Sequence, residues 1–237
     1  MSEIYLIRHG QASFGAKNYD VLSPIGIRQA SILAEHLFAS GISFDAVYSG
    51  EMERQKDTAK PFCSRFASVN PVLNDFTIIP AFNEYDASAL LIARSRLGID
   101  VDARSEETIR ILKTDKKAFQ VYFSDTVDLW LAGRLDADPG VERWPHFINR
   151  VEAGLKMLMK RHGKGSHIAV FTSGGPISAV MKIVMGLSDR TSVDLSWQVM
   201  NASWTCIKYR NDSLALSVFN SVSHLMLEKE PELITYR

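Results

Sequence analysis

The sequence predicts a three-layer α/β/α sandwich on a mostly parallel sheet, with a C-terminal antiparallel edge and a helical cap insertion at about residues 87–138. Three observations predict it. Short runs at 4–7 (IYLI), 46–48 (AVY) and 168–172 (IAVFT) are apolar at nearly every position and are separated by helical patterns. Strands covered on both faces have this unbroken apolar character, the habit of a parallel sheet between helix layers. Two late runs, 205–209 and 214–219, flank Asn211-Asp212-Ser213 and read as a hairpin. From about Ala87 to Asp138 no strand run is clear and amphipathic helical stretches dominate.

In chain order, the first strand runs into Arg8-His9-Gly10. Ser23-Pro24 then offers an N-cap and an N1 proline, Ile25, Ile32, Leu33 and Leu37 form an inward stripe, and Gly41 stops the helix. The second strand runs into Ser49-Gly50. In the insertion, Leu90, Leu91 and Leu97, then Ile109, Leu112 and Phe119, then Leu129, Trp130 and Leu131 suggest helices, and DADPG at 136–140 returns the chain to the sheet. Phe147, Val151, Leu155 and Leu158 repeat at helical spacing before Gly163. The strand at 168–172 ends in Ser173-Gly174-Gly175, and Pro176 opens a helix through Val180, Ile183 and Val184 that stops near Gly186. The whole chain, 1–237, reads as one domain carrying the insertion.

Composition excludes several classes of function. The 237 residues carry 27 basic and 27 acidic side chains, hence no net charge. That balance, with no basic aromatic face, argues against nucleic-acid binding and electrostatic membrane binding. Cys63 and Cys206 cannot build a disulfide framework, which favours a reducing compartment. No basic-then-apolar leader precedes Ile4, and no run approaches the length of a membrane span. The expectation is a cytoplasmic protein whose oligomeric state is open.

In an open parallel sheet, ligands gather outside the carboxyl ends of the strands. Three such ends carry polar or glycine-rich turns: Arg8-His9-Gly10-Gln11, Ser49-Gly50 leading to Arg54, and Ser173-Gly174-Gly175. Two arginines and a helix N-terminus suit a doubly charged anion, and a neutral imidazole among them suits in-line attack on phosphorus. Taken alone, Arg-His-Gly fits an inert strand cap equally well. Likewise, Glu84 by itself reads as an exposed loop carboxylate.

Several spaced motifs change that balance. Leu6-Ile7-Arg8-His9-Gly10-Gln11 after the first strand resembles the signature of the histidine phosphatase superfamily, the phosphoglycerate mutase-like family. Residues 22–30 (LSPIGIRQA) resemble its "L-T-x-x-G-x-x-Q-A" helix start, and 48–59 (YSGEMERQKDTA) its "S-S-x-x-x-R-x-x-x-T-A" segment. Asn83-Glu84-Tyr85 falls where the family places an acidic residue. Asn201-Ala202-Ser203 and Asn220 through His224-Leu225 resemble its C-terminal elements. The resemblance implies a metal-independent phosphomonoester hydrolase without cofactor, acting on a small phosphorylated substrate. His9 would form a phosphohistidine, and Glu84 would protonate the leaving oxygen and then activate water. Arg8, Arg54, Ser173, Gly174 and Gln11 would hold the phosphoryl group.

Two departures qualify it. The family's second histidine, typically in "H-G-G", is replaced by Ser173, and residues 12–17 lack an asparagine that many members carry, with Asn18 a doubtful substitute. A neutral hydrogen bond of about 1 kcal/mol in place of a charge-assisted one of about 1.5–3 would slow turnover by about one or two orders of magnitude. A Ser173→His change is then expected to raise the rate if the pocket has kept room for the ring. The alternatives are a weak or inactive phospho-ligand or protein-binding member of the fold, a phosphoglycerate-type mutase, and a serine hydrolase using Ser173 with Asp212 and His224. Phe171 would crowd the nucleophile elbow in the last of these.

Other polar residues read blandly. His162 and His167 fit solvated loop positions, and His36 fits a boundary residue on the first helix. Leu158 spoils a P-loop ending at Gly163-Lys164. Trp130 and Trp144 read as core, and Arg94 and Arg96 as solvated helix charges in preference to readers of a second anion.

Overall fold

The computed structural model describes residues 1–13, 20–98 and 115–236. A six-stranded sheet has the order β3-β2-β4-β1-β5-β6. Its strands are β1 (Ser2–Arg8), β2 (Ala46–Ser49), β3 (Thr77–Ile78), β4 (His167–Thr172), β5 (Trp204–Arg210) and β6 (Ser213–Ser221). The first four in that order are parallel. β5 runs antiparallel to β1, and β6 antiparallel to β5. Arg210 pairs with Ser213 across the hairpin, and Asn211 takes the left-handed φ of 53° that the turn demands.

Among the described residues there are eight α-helices: α1 (Pro24–Ala39), α2 (Glu53–Phe66), α3 (Ala87–Arg96), α4 (Lys116–Leu131), α5 (Trp144–Arg161), α6 (Gly174–Met185), α7 (Asp189–Ser196) and α8 (Ser223–Leu227). None is long and apolar enough to cross a membrane. Ser23 caps α1 by accepting from Gly26 N–H at 3.1 Å, with Pro24 at N1. Leu33 and Leu37 are fully buried as the stripe requires, whereas Ile25 and Ile32 are half-buried against Val222, Leu225 and Leu233. The α6 helix begins at Gly174, two residues before the proline expected to open it, and ends on Gly186 at φ 66°.

Contacts divide the described chain into two compact units, residues 1–84 with 150–237, and residues 85–149. In the first unit, Tyr5, Ile7, Ala169 and Phe171 point to one face of the sheet and meet Leu33 and Leu37 of α1 and Phe62 and Phe66 of α2. The alternate residues Ile4, Leu6, Ile168 and Val170 are equally buried on the opposite face, so the runs are apolar throughout. Each such side chain contributes about 1.5–3 kcal/mol of burial, and together they hold the carboxyl edges of β2, β4 and β1 side by side.

The second unit contains α3 and α4 and is organised by aromatic rings. Trp130 is packed between Tyr85 and Trp144, at centroid distances of 4.8 and 5.1 Å, and its Nε1 donates to Glu142 O at 2.7 Å. Both tryptophans are core, as expected. Leu97, assigned to the apolar stripe, is 40 % exposed. Arg94 corrects the sequence reading: it is buried, donates to Tyr122 O and Thr126 Oγ1, and lies 3.8 Å from the Tyr122 ring centroid. Arg96 is exposed and paired with Asp138 at 2.6 Å. Ile109 and Leu112 lie outside the described residues.

Candidate active site

The chemistry-bearing residues assemble because β4 inserts between β1 and β2. Arg8 pairs with Thr172 in the β1–β4 ladder, His9 N–H donates to Thr172 O at 2.9 Å, and Gly50 N–H donates to Phe171 O at 3.1 Å. The ends of three strands thus present His9, Ser173 and the entry to α2 along one edge. This is the crevice where a doubly wound sheet binds ligands.

His9 is held on every side. Its carbonyl accepts Ala202 N–H and Asn201 Nδ2–H, both at 3.2 Å. Nδ1–H donates to Gly10 O at 2.7 Å, and Nε2 accepts from Arg54 Nε at 3.1 Å. Gly10 O can only accept and the arginine can only donate, so the imidazole is neutral with its lone pair on Nε2. Burial, reinforced by the Arg54 and Arg8 guanidinium groups, holds its pKa well below the usual histidine value.

The turn after β1 is fixed by close backbone approach. A Cβ on Gly10 would lie 2.4 Å from Gly26 O, and one on Gly26 would lie 2.1 Å from Gln11 O. Only glycine fits at either position. Gly10 N–H donates to Thr58 Oγ1 at 3.0 Å, and that hydroxyl donates on to Arg54 O at 2.7 Å. The β1 turn and the first turns of α1 and α2 are therefore one rigid assembly.

Arg54 is buried, and besides His9 it engages Asp20: Nη1 donates to Asp20 Oδ1 at 2.6 Å. The other Asp20 oxygen accepts Glu53 N–H at the start of α2 at 2.9 Å, a favourable place for an anion. Arg8 donates from Nη1 to Val199 O, and its Nε lies 3.9 Å from where a Gly174 Cβ would be. Ser173 Oγ is fully buried and accepts from Gln55 Nε2 at 2.8 Å. Glu84 Oε2 accepts from Gly175 N–H in the first turn of α6 at 3.0 Å. Arg150 Nη1 sets the preceding turn by donating to the carbonyls of Pro80, Ala81 and Asn83 at 2.9–3.1 Å.

The structure therefore brings His9, Arg8 and Arg54 together, and gathers Ser173, Gly174 and Glu84 at the α6 N-terminus beside Arg8. Gln11 is different. Its Oε1 accepts from Ser23 Oγ at 2.8 Å and its N–H donates to Gln29 Oε1 at 2.8 Å, which ties it to α1. The serine-hydrolase constellation is not formed. Asp212 is in the β5–β6 turn, the His224 ring lies 5.5 Å from that of His36 at a tilt of 33°, and among the described residues no hydrogen bond joins Ser173 to either. His162 and His167 are not merely solvated: their ring nitrogens meet Tyr48 Oη at 2.8 Å and Ser43 O at 2.9 Å. Asn18 lies outside the described residues. Among the described residues no cluster of three His, Cys, Asp or Glu side chains has metal-binding geometry.

The sequence reading missed Asp20, Gln55 and the grip of Asn201 on His9. The signal for Gln55 was present, since it directly follows Arg54 in the first turn of a helix aimed at the crevice.

The family model of the histidine phosphatase superfamily, branch 1, matches residues 4–90 and 99–222. A metal-independent phosphoserine phosphatase from Arabidopsis thaliana is 25 % identical over 236 residues, covering 95 % of this chain and 84 % of the relative. A 2,3-bisphosphoglycerate-dependent phosphoglycerate mutase from a Methylobacterium strain is 25 % identical over 196 residues, covering 79 % of this chain and 83 % of that protein. The crystal structure of a phosphoglycerate mutase from Bacillus anthracis superposes with a TM-score of 0.65 at 20 % identity, covering 97 % of each chain, and bears on the fold alone. With its motifs spread from β1 to the C-terminal segment and its strand order now in place, this chain belongs to the histidine phosphatase superfamily, branch 1.

Proposed function

We propose that this protein is a phosphomonoester hydrolase of small phosphorylated substrates, with His9 as its nucleophile, in a single histidine phosphatase-like domain that carries the helical insertion. One observation carries the reading. The buried His9 imidazole is neutral, with its Nε2 lone pair aimed at a guanidinium group. An anionic phosphoryl group entering there exchanges places with that contact. Arg54 Nε–H moves from the imidazole to a nonbridging oxygen, Arg8 takes another, and Nε2 is left to attack phosphorus in line.

The electron pair on Nε2 forms the N–P bond as the P–O bond to the leaving group breaks. The developing negative charge on the leaving oxygen needs a proton, and Glu84 is the candidate donor. Gly175 N–H anchors one of its oxygens, and Arg150 orders the turn before it. In the second half, deprotonated Glu84 takes a proton from water, the water oxygen attacks phosphorus, and Nε2 leaves with its electron pair. Gly10 O holds the Nδ1 proton throughout, so the imidazole returns to the same tautomer. Hydrolysis is preferred over mutase chemistry, because a mutase must keep water from the phosphoenzyme while a second oxygen nucleophile is bound.

The test is a panel of phosphomonoesters, with phosphoserine, 3-phosphoglycerate and an aryl phosphate among them, assayed in the presence of chelator. Wild type releases phosphate, and His9→Ala loses that release while keeping its thermal midpoint. A His9→Ala protein as active as wild type refutes the assignment. Transfer to a phosphoglycerate acceptor in place of water would favour the mutase reading.

A further inference from the structure

We propose that Gln55 is a positioning residue of this centre. Its amide makes Ser173 a hydrogen-bond acceptor on one side, so that the serine's own hydroxyl hydrogen is left for a phosphoryl oxygen. Gln55 and Ser173 together then stand where the motif resemblance leads one to expect a second histidine. The inference rests on the phosphatase reading and deepens it.

The amide orientation is fixed by its surroundings. Gln55 is fully buried. Phe82 O, which can only accept, lies 3.3 Å from Nε2, and Met52 N–H, which can only donate, lies 3.4 Å from Oε1. The group facing Ser173 is therefore an N–H, 2.8 Å from Oγ. A serine hydroxyl has one hydrogen to give. With Gln55 occupying a lone pair, that hydrogen remains available, and among the described residues no acceptor is assigned to it. Ser173 immediately precedes Gly174, whose Cβ would lie 3.9 Å from Arg8 Nε, and Gly175, whose N–H donates to Glu84 Oε2 at 3.0 Å.

The slot is built around this side chain. A Cβ on Gly50 would lie 2.0 Å from Gln55 Oε1, so the residue that follows β2 is glycine where the amide passes. Gln55 also follows Arg54, so one turn of α2 serves two partners: Arg54 reaches His9 and Gln55 reaches Ser173. A buried amide with its donors and acceptor all engaged is rigid, and it fixes the direction of the hydroxyl more tightly than solvent would.

The experiment is a double-mutant cycle on the full chain: wild type, Gln55→Met, Ser173→Ala and the double variant. It reads kcat/KM for an aryl phosphate and the dissociation constant of orthovanadate, with thermal midpoints alongside. Methionine keeps the volume and removes the donors. Each single change is expected to lower kcat/KM roughly fivefold, the effect of one neutral hydrogen bond, and the double variant to match Ser173→Ala. A filler role predicts independent effects that multiply. Multiplying effects, or an unchanged Gln55→Met, overturn the proposal.

Gln55→Glu keeps the inference testable should Gln55→Met not fold. The carboxylate accepts the Ser173 hydrogen, and activity is expected to recover as acid protonates it. A Gln55→Glu pH profile parallel to that of wild type counts against the proposal. Wild type without turnover refutes the phosphatase reading alone while the vanadate cycle stays non-additive. Wild type that binds no vanadate overturns both.

Discussion

Replacing Ser173 by histidine installs the residue that the motif resemblance leads one to expect there, and on motif grounds alone it should raise the rate. The packing predicts the opposite. Ser173 is fully buried and its Oγ lies 2.8 Å from the Gln55 amide, which is itself fully buried. An imidazole extends into the volume that Gln55 fills, and forcing it in costs about 1–3 kcal/mol. Gln55 also loses its hydrogen-bond partner, a further cost of about 1–3 kcal/mol for a buried polar group. Together these give about 2–6 kcal/mol. For a chain of this size each kcal/mol moves the thermal midpoint by about 2–4 °C, so a fall of roughly 4–24 °C is expected.

The assay is a thermal melt paired with aryl phosphatase turnover, run on Ser173→His with and without Gln55→Ala. The second change removes as many heavy atoms as the imidazole adds. The double variant is expected to regain most of the lost stability. Its charge-assisted bond to phosphate should raise the rate to or above that of wild type by up to about one order of magnitude. A Ser173→His protein that melts with wild type and turns over faster would show that Gln55 does not compete for that space.

Three further outcomes follow from the same geometry. Because His9 is neutral in the folded protein, with its pKa held well below the usual histidine value, an NMR pH titration of its ring should show no protonation near pH 6.5; a midpoint there would contradict the neutral imidazole. His224 is held at about 3 by burial, with His36 adding to the effect. The unfolded chain takes up that proton near pH 6.5 and the native state does not, so stability falls as the pH drops below 6.5. The slope is about 1.4 kcal/mol per pH unit, or about 2 kcal/mol by pH 5. His224→Phe should remove this part of the loss in urea melts at pH 7 and 5, and an identical pH dependence in the variant would refute it. Gly10→Ala drives a Cβ to 2.4 Å from Gly26 O and should cost about 3 kcal/mol. Gly163→Ala, with open space around it, should change stability by less than about 0.5 kcal/mol; equal melting points for the two variants would remove the close-approach argument.

Much of this arrangement was legible in the chain itself. A strand covered on both faces must be apolar at consecutive positions, and the runs at 4–7 and 168–172 declare this without any partner. Ser23 and Pro24 mark the start of α1 because a cap is chemistry within a few residues. Arg8 and His9 could be picked out because they stand at the end of a strand, and Arg54 because it follows the turn after the next. By contrast, β3 has two residues, both exposed, and leaves no pattern to read. Arg94 looked like a solvated helix charge, yet the carbonyl that accepts it belongs to Tyr122 on another helix.

Sequence alone determined most of the elements, their order and the residue types at the strand ends, because periodicity, capping and turn chemistry act over a few residues. Tertiary structure alone decided which polar atoms meet. Gln55 and Ser173 are separated by 118 positions, and Asn201 holds His9 across 192. Such pairings depend on how strands and helices pack to within a fraction of an ångström, and no local pattern encodes that distance.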